Sequence, residues 1–275
     1  MIGQLARDLV LSVPDVPEAG DSTDATGRHE QLGGKGANQA VGLAQLGVRP
    51  ALVAVAGDDV IGDVLLDQAR RDGIDVSAVV RRRGTLTGVI VEILDAEGRY
   101  RYVQDLPLLT DTDVEAAAGR IRASDAVLVQ LQQPAAVARV AARIGREAGR
   151  LVVLDGATDD TGLLALADVV RADEKEAQAL PDPEDLLDLG PKLIAIARED
   201  GNLFVWRGER LLVPLTDDKV VDTTGGGDAF VAGLTASLLR GESYPDAARL
   251  ATAAAGATVG HAGGRPDLGG LVRHG

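Results

Sequence analysis

The sequence predicts an α/β protein in which helices cover both faces of a mostly parallel central sheet, giving three layers, with a small second β-sheet as a lid. Two observations lead to this fold class. From Ala126 onward, short apolar segments alternate with amphipathic segments, as strands alternate with helices around a parallel sheet. Residues 87–103 contain two extended segments joined by a glycine-containing turn, which is typical of a hairpin. The predicted central strands are 126–131, 151–155, 168–173, 192–197 and 203–206.

The first part of the chain predicts a buried strand followed by a helix. Residues 51–57 form a continuous apolar run, as in a strand covered on both faces. Asp59 then begins a helix, and Gly73 ends it. Only two residues precede Gly3, so either the first strand is very short or the start of the chain has lost residues. The predicted buried face of the helix consists of Val60, Ile61, Val64, Leu65 and Ala69.

The remaining helices follow from local signals. Pro134 suits the first turn of a helix that Gly149 ends. Two further helices, at approximately 226–240 and 244–261, close the chain. We expect residues 1–275 to form a single domain, with lid strands at approximately 8–32 and 87–103 inserted in it. These lid strands are predicted to be antiparallel and separate from the main sheet.

Composition excludes several classes of protein. The net charge of -14 argues against binding to nucleic acid or to an anionic membrane, because both need a basic surface. The chain has no cysteine, which rules out disulfides, thiolate catalysis and cysteine-ligated metals. Its three histidines, His29, His261 and His274, are too scattered to suggest a metal site. Neither a signal peptide nor a membrane-spanning run is recognisable, so we expect a cytoplasmic protein.

The first motif is GGKGAN at residues 33–38, directly before a helix. Glycines such as Gly34 let the backbone approach a ligand closely, and the start of the helix offers free N–H groups. Lys35 adds a cation, and Asn38 offers both a donor and an acceptor to a hydroxyl-bearing ligand. Taken alone, the motif is explained equally well by a glycine-rich turn that only begins a helix. Its spacing differs from that of a Walker A loop.

The second motif, DTTGGGDAF at residues 222–230, is more specific. Three consecutive glycines, Gly225, Gly226 and Gly227, can direct their N–H groups at one anion. Asp228 follows in the first helical turn, where the helix dipole favours an ionised carboxylate that can accept a proton. An N-capping aspartate after a flexible turn is the structural alternative. Three glycines in a row destabilise a chain unless they have a role, so we favour a functional reading.

Together, the two motifs resemble the signatures of the PfkB family of carbohydrate kinases, and the first is most similar to that of ribokinases. The resemblance extends over nearly the whole chain. It implies an ATP-dependent phosphotransferase that acts on a hydroxyl group of a small sugar. Asp228 falls on the catalytic base of the family, and Gly225, Gly226 and Gly227 fall on its anion hole, with Gly226 where alanine is usual.

The resemblance also implies residues that bind the acceptor sugar. Asp8 falls on the sugar-binding aspartate, although Ala6 occupies the position of the asparagine that accompanies it in ribokinases. Gln132 stands where a glutamate contacts ribose, so hydrogen bonding is kept and the charge is lost. The remaining matches to sugar-contacting positions are Gly34, Lys35 and Asn38.

For the nucleotide and metals, the resemblance places the N-x-x-E motif of the family on residues 173–176. Glu176 matches the residue that orders Mg²⁺ through water, and Asp173 replaces the asparagine. Gly201 matches the nucleotide-side glycine loop, where Arg198 occupies a usual glycine position. Asp222 and Thr224 match the first ligands of a monovalent cation, expected to be K⁺, with the backbone around 258–263 supplying others.

Three functions remain open at this stage. The first is a ribokinase-like sugar kinase, expected to form a homodimer through its lid strands. The second is a nucleoside or sugar-phosphate kinase of the same family, which Ala6 and Gln132 permit. The third is a non-catalytic sugar- or nucleotide-binding relative, which the departures at Ala6, Asp173 and Arg198 motivate.

Overall fold

The computed structural model describes residues 1–215, 220–260 and 263–271. Its strands are β1 (Ala6–Ser12), β2 (Gly27–Gly33), β3 (Val55–Gly57), β4 (Val80–Arg82), β5 (Val89–Leu94), β6 (Tyr100–Asp105), β7 (Ala126–Gln130), β8 (Leu151–Asp155), β9 (Val169–Ala172), β10 (Leu193–Arg198), β11 (Gly201–Trp206) and β12 (Glu209–Val213). Its α-helices are α1 (Lys35–Gln45), α2 (Val60–Arg71), α3 (Asp111–Ala116), α4 (Ala118–Ala123), α5 (Ala135–Glu147), α6 (Thr161–Leu164), α7 (Glu174–Ala177), α8 (Pro183–Leu189), α9 (Gly226–Leu239) and α10 (Tyr244–Val259). A 3₁₀ turn spans Gly269–Leu271. Within these described ranges, no helix is both long enough and apolar enough to cross a bilayer.

The central sheet has the strand order β12-β11-β10-β9-β8-β7. Strands β7 to β10 are parallel, and β11 and β12 continue the sheet as antiparallel strands. The mostly parallel sheet predicted from the alternation of apolar strands and helices is therefore confirmed. Because β7 to β10 run in the same direction, their carboxyl ends lie at one edge, where open α/β sheets bind ligands.

Along each central strand, successive side chains point to opposite faces of the sheet, so they pack in two separate hydrophobic cores. In β8, Val153 packs with α1, α9 and α10 on one side, whereas Val152 and Leu154 pack with α3, α4 and α5 on the other. These residues are fully buried, so both faces of the sheet are covered. Helices on both sides of one sheet make the three predicted layers.

The start of the chain joins the central sheet to a shorter pair of strands. Ile2 bridges Val129 of β7 on one side and Val53 on the other, both in the parallel sense. The apolar run 51–57 is regular strand only in β3, which pairs with β4. Residues 1–3 therefore act as a very short strand, held by single bridges.

The second sheet has the order β2-β1-β5-β6 and is separate from the central sheet, as predicted. Its strands were expected to be antiparallel, and this is wrong for one pair. β1 pairs antiparallel with β2, and β5 with β6, but β1 and β5 run parallel. The hairpin predicted at 87–103 corresponds to β5 and β6.

Other predictions need correction within the helices and at the sheet edge. Val60 and Val64 were assigned to the buried face of α2, but they are 74% and 54% exposed, because the helix turns Leu65, Leu66 and Ala69 inward. The edge strand β12 and the short helices α3 and α4 were not predicted. The last predicted helix was extended to His261, which lies outside the described residues, and the observed helix ends at Val259.

Candidate active site

The GGKGAN motif passes from β2 into α1 beside the first strand of the second sheet. Gly34 precedes α1 with φ +84°, in the left-handed region that favours glycine. A side chain at Gly33 would overlap the carboxyl group of Asp8, and a Cβ on Gly36 would lie 2.7 Å from the backbone nitrogen of Gln4. Gly33 therefore lets the chain pack closely against Asp8, and Gly36 lets it pack against the backbone of Gln4.

Asp8 lies in β1 with its carboxyl group turned into this junction. Its Oδ1 is buried and makes no hydrogen bond with the described part of the chain. Burial raises the pKa of Asp8 to about 7, helped by the charges of Asp228 and Glu92 and opposed by a hydrogen bond from the Gly34 N–H. A buried acceptor without a donor suits a ligand that brings hydroxyl groups.

Asp228 lies in the first turn of α9, and the structure brings it to the first motif. Asn38 Nδ2 donates to Asp228 Oδ2 at 3.4 Å, a long contact. Lys35 is close enough to lower the pKa of Asp228 by its charge. Burial and then Asp155 outweigh that effect and raise the pKa of Asp228 to about 6.

The three glycines before Asp228 lie where a Cβ atom would come very close to a neighbouring group. Gly225 has φ +74°, and a Cβ there would overlap the backbone oxygen of Gly264. A Cβ on Gly226 would lie 2.8 Å from Val259, and a Cβ on Gly227 would lie 2.8 Å from Arg171 Nη2. The N-cap of α9 is Gly225, which makes no side-chain capping hydrogen bond, and the N–H groups of a helix start are the kind of group that can bind an anion.

Asp222 and Thr224 shape the loop before these glycines. Asp222 Oδ1 accepts from the Thr224 N–H and Oδ2 from the Gly263 N–H, both at 2.8 Å. The carboxylate thus fastens the loop to the segment after α10. Residues 261 and 262, which belong to the backbone predicted to complete a cation site, lie outside the described residues.

Asp173 and Glu176 form a reciprocal capping box at the start of α7. Asp173 Oδ1 accepts from the Glu176 N–H at 2.7 Å, and Glu176 Oε2 accepts from the Asp173 N–H at 2.9 Å. Aspartate and asparagine are equally good N-caps, which explains how aspartate keeps the local structure here. Glu176 Oε1 lies 3.8 Å from the Cβ position of Gly156, at the end of β8.

The two remaining predicted positions show fewer contacts. Gln132 is exposed after β7, and its Oε1 accepts from Gln4 Nε2 at 3.4 Å. Gly201 begins β11 in a tight turn from β10, where Arg198 is its pairing partner. A Cβ on Gly201 would lie 2.5 Å from the Val213 oxygen, so backbone packing alone explains this glycine.

Sequence reasoning missed three buried polar residues next to Asp228. Gln39 Nε2 donates to Asp228 Oδ1 at 3.1 Å and to Asp155 Oδ2 at 2.7 Å. Arg171 Nη1 donates to Asp155 Oδ1 at 2.9 Å. A charged residue inside the apolar strand β9 was the available signal, because such residues are seldom buried without a partner.

The second sheet contacts the glycine loop through its β6 strand. The hydroxyl groups of Tyr102 and Thr224 lie 2.7 Å apart. Burial and then the charge of Asp222 raise the pKa of Glu92 to about 7, and the nearby Tyr102 side chain opposes this shift. Glu92 Oε1 is buried without a hydrogen-bond partner among the described residues. The second sheet therefore covers the site and adds a carboxyl group to it.

Comparisons with known proteins point to one family. Residues 1–268 match the pfkB family of carbohydrate kinases. A ribokinase from Haemophilus influenzae is 29% identical, over 98% of this chain and 94% of that protein. An ATP-dependent ribose-1-phosphate kinase from Halopiger xanaduensis is 30% identical, over 96% of this chain and 92% of that protein. The structure of Arabidopsis thaliana ribokinase with ribose and ATP is similar at a TM-score of 0.81 and 26% identity, covering 97% of this chain and 94% of that one.

The chain therefore belongs to the pfkB family of carbohydrate kinases, as its two motifs predicted. It is a phosphotransferase whose acceptor is an alcohol group.

Proposed function

We propose that this kinase phosphorylates a hydroxyl group of a small neutral sugar such as ribose, with ATP as donor and Asp228 as general base. The observation that carries the proposal is the position of Asp228, buried beside Asn38 at the uncapped start of α9. A carboxylate and free N–H groups at one helix end can meet an alcohol and a phosphoryl group together.

In the proposed reaction, the acceptor sugar occupies the space between the two motifs under the second sheet. Asp228 accepts the proton of the acceptor hydroxyl, and the hydroxyl oxygen forms a bond to the γ-phosphorus. The bond from that phosphorus to the β–γ bridging oxygen breaks, and ADP leaves. The N–H groups of Gly225, Gly226 and Gly227, with Lys35, offset the charge of the transferring group. The proposed sugar-binding residues are Asp8, Gly34, Lys35, Asn38 and Gln132.

The proposed nucleotide site includes Asp173, Glu176 and Gly201. The described residues hold no group of three or more acidic or histidine side chains that could bind a metal by themselves. This fits Mg²⁺, which keeps several waters and binds through one carboxylate and substrate phosphates. Glu176 would hold it through water, and the ion would supply charge neutralisation at the phosphates.

A monovalent cation, expected to be K⁺, has a proposed site at Asp222 and Thr224. Each Asp222 oxygen accepts one backbone N–H, which leaves a second lone pair for a cation. This site would hold the loop that carries the anion-hole glycines in one shape.

A sugar phosphate is a second candidate acceptor, because one relative is named as a ribose-1-phosphate kinase. The charges near the acceptor space argue against it. Burial and neighbouring carboxylates raise the pKa values of Asp8, Glu92 and Asp228, so this space is lined mainly by acidic groups, with Lys35 as the cation of the first motif. Unpaired oxygens on Asp8, Asn38 and Glu92 need donors, which a neutral polyol supplies and a phosphate dianion does not.

An assay of ADP release tests the proposal against its alternatives. The panel contains ribose, other pentoses and hexoses, a nucleoside and ribose 1-phosphate, each with MgATP. We expect the highest turnover with a neutral sugar, and Asp228→Asn should lower it by about 10²-fold or more. Asp63→Asn is the matched control, because Asp63 is also acidic in a first helical turn but is exposed. Wild-type turnover in Asp228→Asn would remove the base from its role, and no turnover with any acceptor would favour a non-catalytic binder.

We also propose that two copies associate through the second sheet. Its pairing register places Leu9, Val91 and Val103 side by side on the face opposite Glu92. Val103 is 67% exposed, and the edge strand β6 is exposed along its whole length. An apolar face next to a free strand edge suits a second copy of the same chain.

A further inference from the structure

The proposed base is held by a buried amide that also holds a second carboxyl group. Gln39 is fully buried, and its Nε2 donates both to Asp228 Oδ1 at 3.1 Å and to Asp155 Oδ2 at 2.7 Å. A primary amide has two N–H bonds, so it can satisfy both oxygens at once. Gln39 therefore fixes the carboxyl group of Asp228 relative to that of Asp155.

Asp155 is in turn paired with an arginine that is itself buried. Arg171 is 6% exposed, and its Nη1 donates to Asp155 Oδ1 at 2.9 Å. Its guanidinium lies 5.7 Å from the ring centre of Phe230 in α9. Its Nε is buried without a hydrogen-bond partner in the described part of the chain. A buried ion pair with an unsatisfied donor costs stability, so its presence beside the active site calls for a role.

The position of Arg171 connects it to the phosphoryl-transfer site. Its Nη2 fills the space beside Gly227 in which a Cβ would stand 2.8 Å away. Its charge is close enough to Asp155, Glu176 and Asp228 for each of them to raise the pKa of Arg171. Arg171 is thus the cation that balances the carboxyl groups behind the anion-hole glycines.

We infer that Gln39, Asp155 and Arg171 form a buried bridge of positioning residues that fixes the orientation and the charge of Asp228. This inference rests on the proposed role of Asp228 as the base. Because Gln39 occupies Oδ1, the oxygen left to receive the proton of the acceptor hydroxyl is Oδ2. Among the described residues, the hydrogen bond to Oδ2 is the 3.4 Å contact from Asn38, and an acceptor hydroxyl can displace such a long contact.

The bridge also sets the acidity of the base. The charged groups that face Asp228 are Lys35 from α1, Asp8 from β1, Asp155 from β8 and Arg171 from β9. Gln39 lowers the pKa of Asp228 by its hydrogen bond, and Asp155 raises it. Removing the N–H donor of Gln39, or the charge of Arg171 that compensates Asp155, should therefore make Asp228 harder to ionise.

The test uses pH profiles of kcat/KM for the best acceptor of the panel, between pH 5 and 9, in the full-length protein. Gln39→Met keeps the length of the side chain and removes its donor, and Arg171→Gln removes the charge. We expect the acid limb of both profiles to move to higher pH by about one unit or more, with kcat lowered at least about tenfold. Arg171→Lys keeps a positive charge and should keep most of the wild-type profile.

Arg146→Gln is the matched control. Arg146 pairs with the buried Asp168 at 3.2 Å, just before the start of β9 and so at the end opposite to the site. This variant also breaks an ion pair to a buried aspartate, but it should leave the acid limb in place. Asp8 itself is unchanged in all these variants, and burial is the largest cause of its raised pKa.

The outcomes separate this inference from the proposed function. The inferred role of the bridge would be overturned if the acid limbs of Gln39→Met and Arg171→Gln superimpose on the wild-type limb. This holds whatever the change in kcat. If Arg171→Gln does not fold, as judged by thermal melting, Gln39→Met decides alone. Full turnover in Asp228→Asn would instead overturn the base itself.

Discussion

At the scale of single residues, the protonation of Asp228 predicts a pH dependence of activity. Burial and Asp155 raise its pKa to about 6. As the proposed base, Asp228 must be ionised to accept a proton, so kcat/KM should fall as the pH decreases through about 6. Initial rates of ADP release in buffers of constant ionic strength measure this limb. A profile that stays flat down to pH 5 would contradict the prediction.

Single residues also show how much of the site could be predicted from the sequence. Asp228, Asn38 and Lys35 were predicted because short glycine-rich motifs mark them, and the structure brings them together. Asp155 and Arg171 were missed because each lies in an apolar strand that a one-dimensional reading treats as core. Their proximity depends on the neighbouring positions of β8 and β9 in the sheet, which local sequence does not encode.

At the scale of secondary-structure elements, the capping box of α7 predicts an effect of Asp173→Asn. Asparagine caps a helix as well as aspartate does, so the melting temperature should stay within about 1 °C. One negative charge less beside the proposed nucleotide site should lower the KM for ATP. Steady-state kinetics with varied ATP, together with thermal melts, measure both effects.

Asp182→Asn provides the control for this prediction. Asp182 is the N-cap of the next helix, α8, and its side chain makes no capping hydrogen bond. The same change of charge there should leave the KM for ATP unaltered. A KM that changes equally in both variants would show a general effect of charge rather than a local one.

Elements were predicted best where their signals are local. The strands β7, β8 and β10 are short apolar runs bounded by polar residues, and the helix α5 has a clear apolar face, so both kinds were recognised. The parallel pairing of β1 with β5 was not predicted, because about eighty residues separate the two strands and neither carries a signal for its partner's direction. Val64 was assigned to the buried face of α2 because its spacing fits the apolar periodicity of that helix. The structure leaves it exposed.

At the scale of the whole molecule, the exposed apolar face of the second sheet predicts a dimer. A single charged substitution on that face should disrupt it. Val103→Asp places a carboxylate in the proposed interface, and burying it unpaired would cost several kcal/mol. Sedimentation velocity should show dimers for the wild type and monomers for the variant. Val64→Asp is the control, because Val64 is also exposed but lies on α2. A wild-type protein that sediments only as a monomer would contradict the proposed dimer.

The stability of the whole molecule should also depend on pH through its raised carboxyl groups. The folded-state pKa values of Asp8 and Glu92 are about 7, and that of Asp228 is about 6, all above their unfolded values near 4. Such groups stabilise the folded state fully below pH of about 4, and this contribution is lost as the pH rises through 6 to 7.

Glu92→Gln isolates one of these contributions. At pH 5.5 the variant should melt near the wild-type temperature, because Glu92 is then mostly protonated. At pH 8 the variant should melt higher, since an uncharged amide replaces a buried carboxylate. Thermal melts without ligands measure this difference, and the exposed Glu115→Gln on α3 should show none. A variant that melts lower than the wild type at pH 8 would refute the assignment.

The two motifs of the proposed site are far apart along the chain, since 190 residues separate Asn38 from Asp228. During synthesis, the ribosome releases the second motif roughly 10–40 s after the first, at ordinary rates of elongation. A nascent chain that lacks α9 therefore has the proposed sugar-binding half of the site without the proposed proton acceptor. On the proposed mechanism, unfinished chains cannot transfer a phosphoryl group, and activity begins only when translation has passed the last strand of the central sheet.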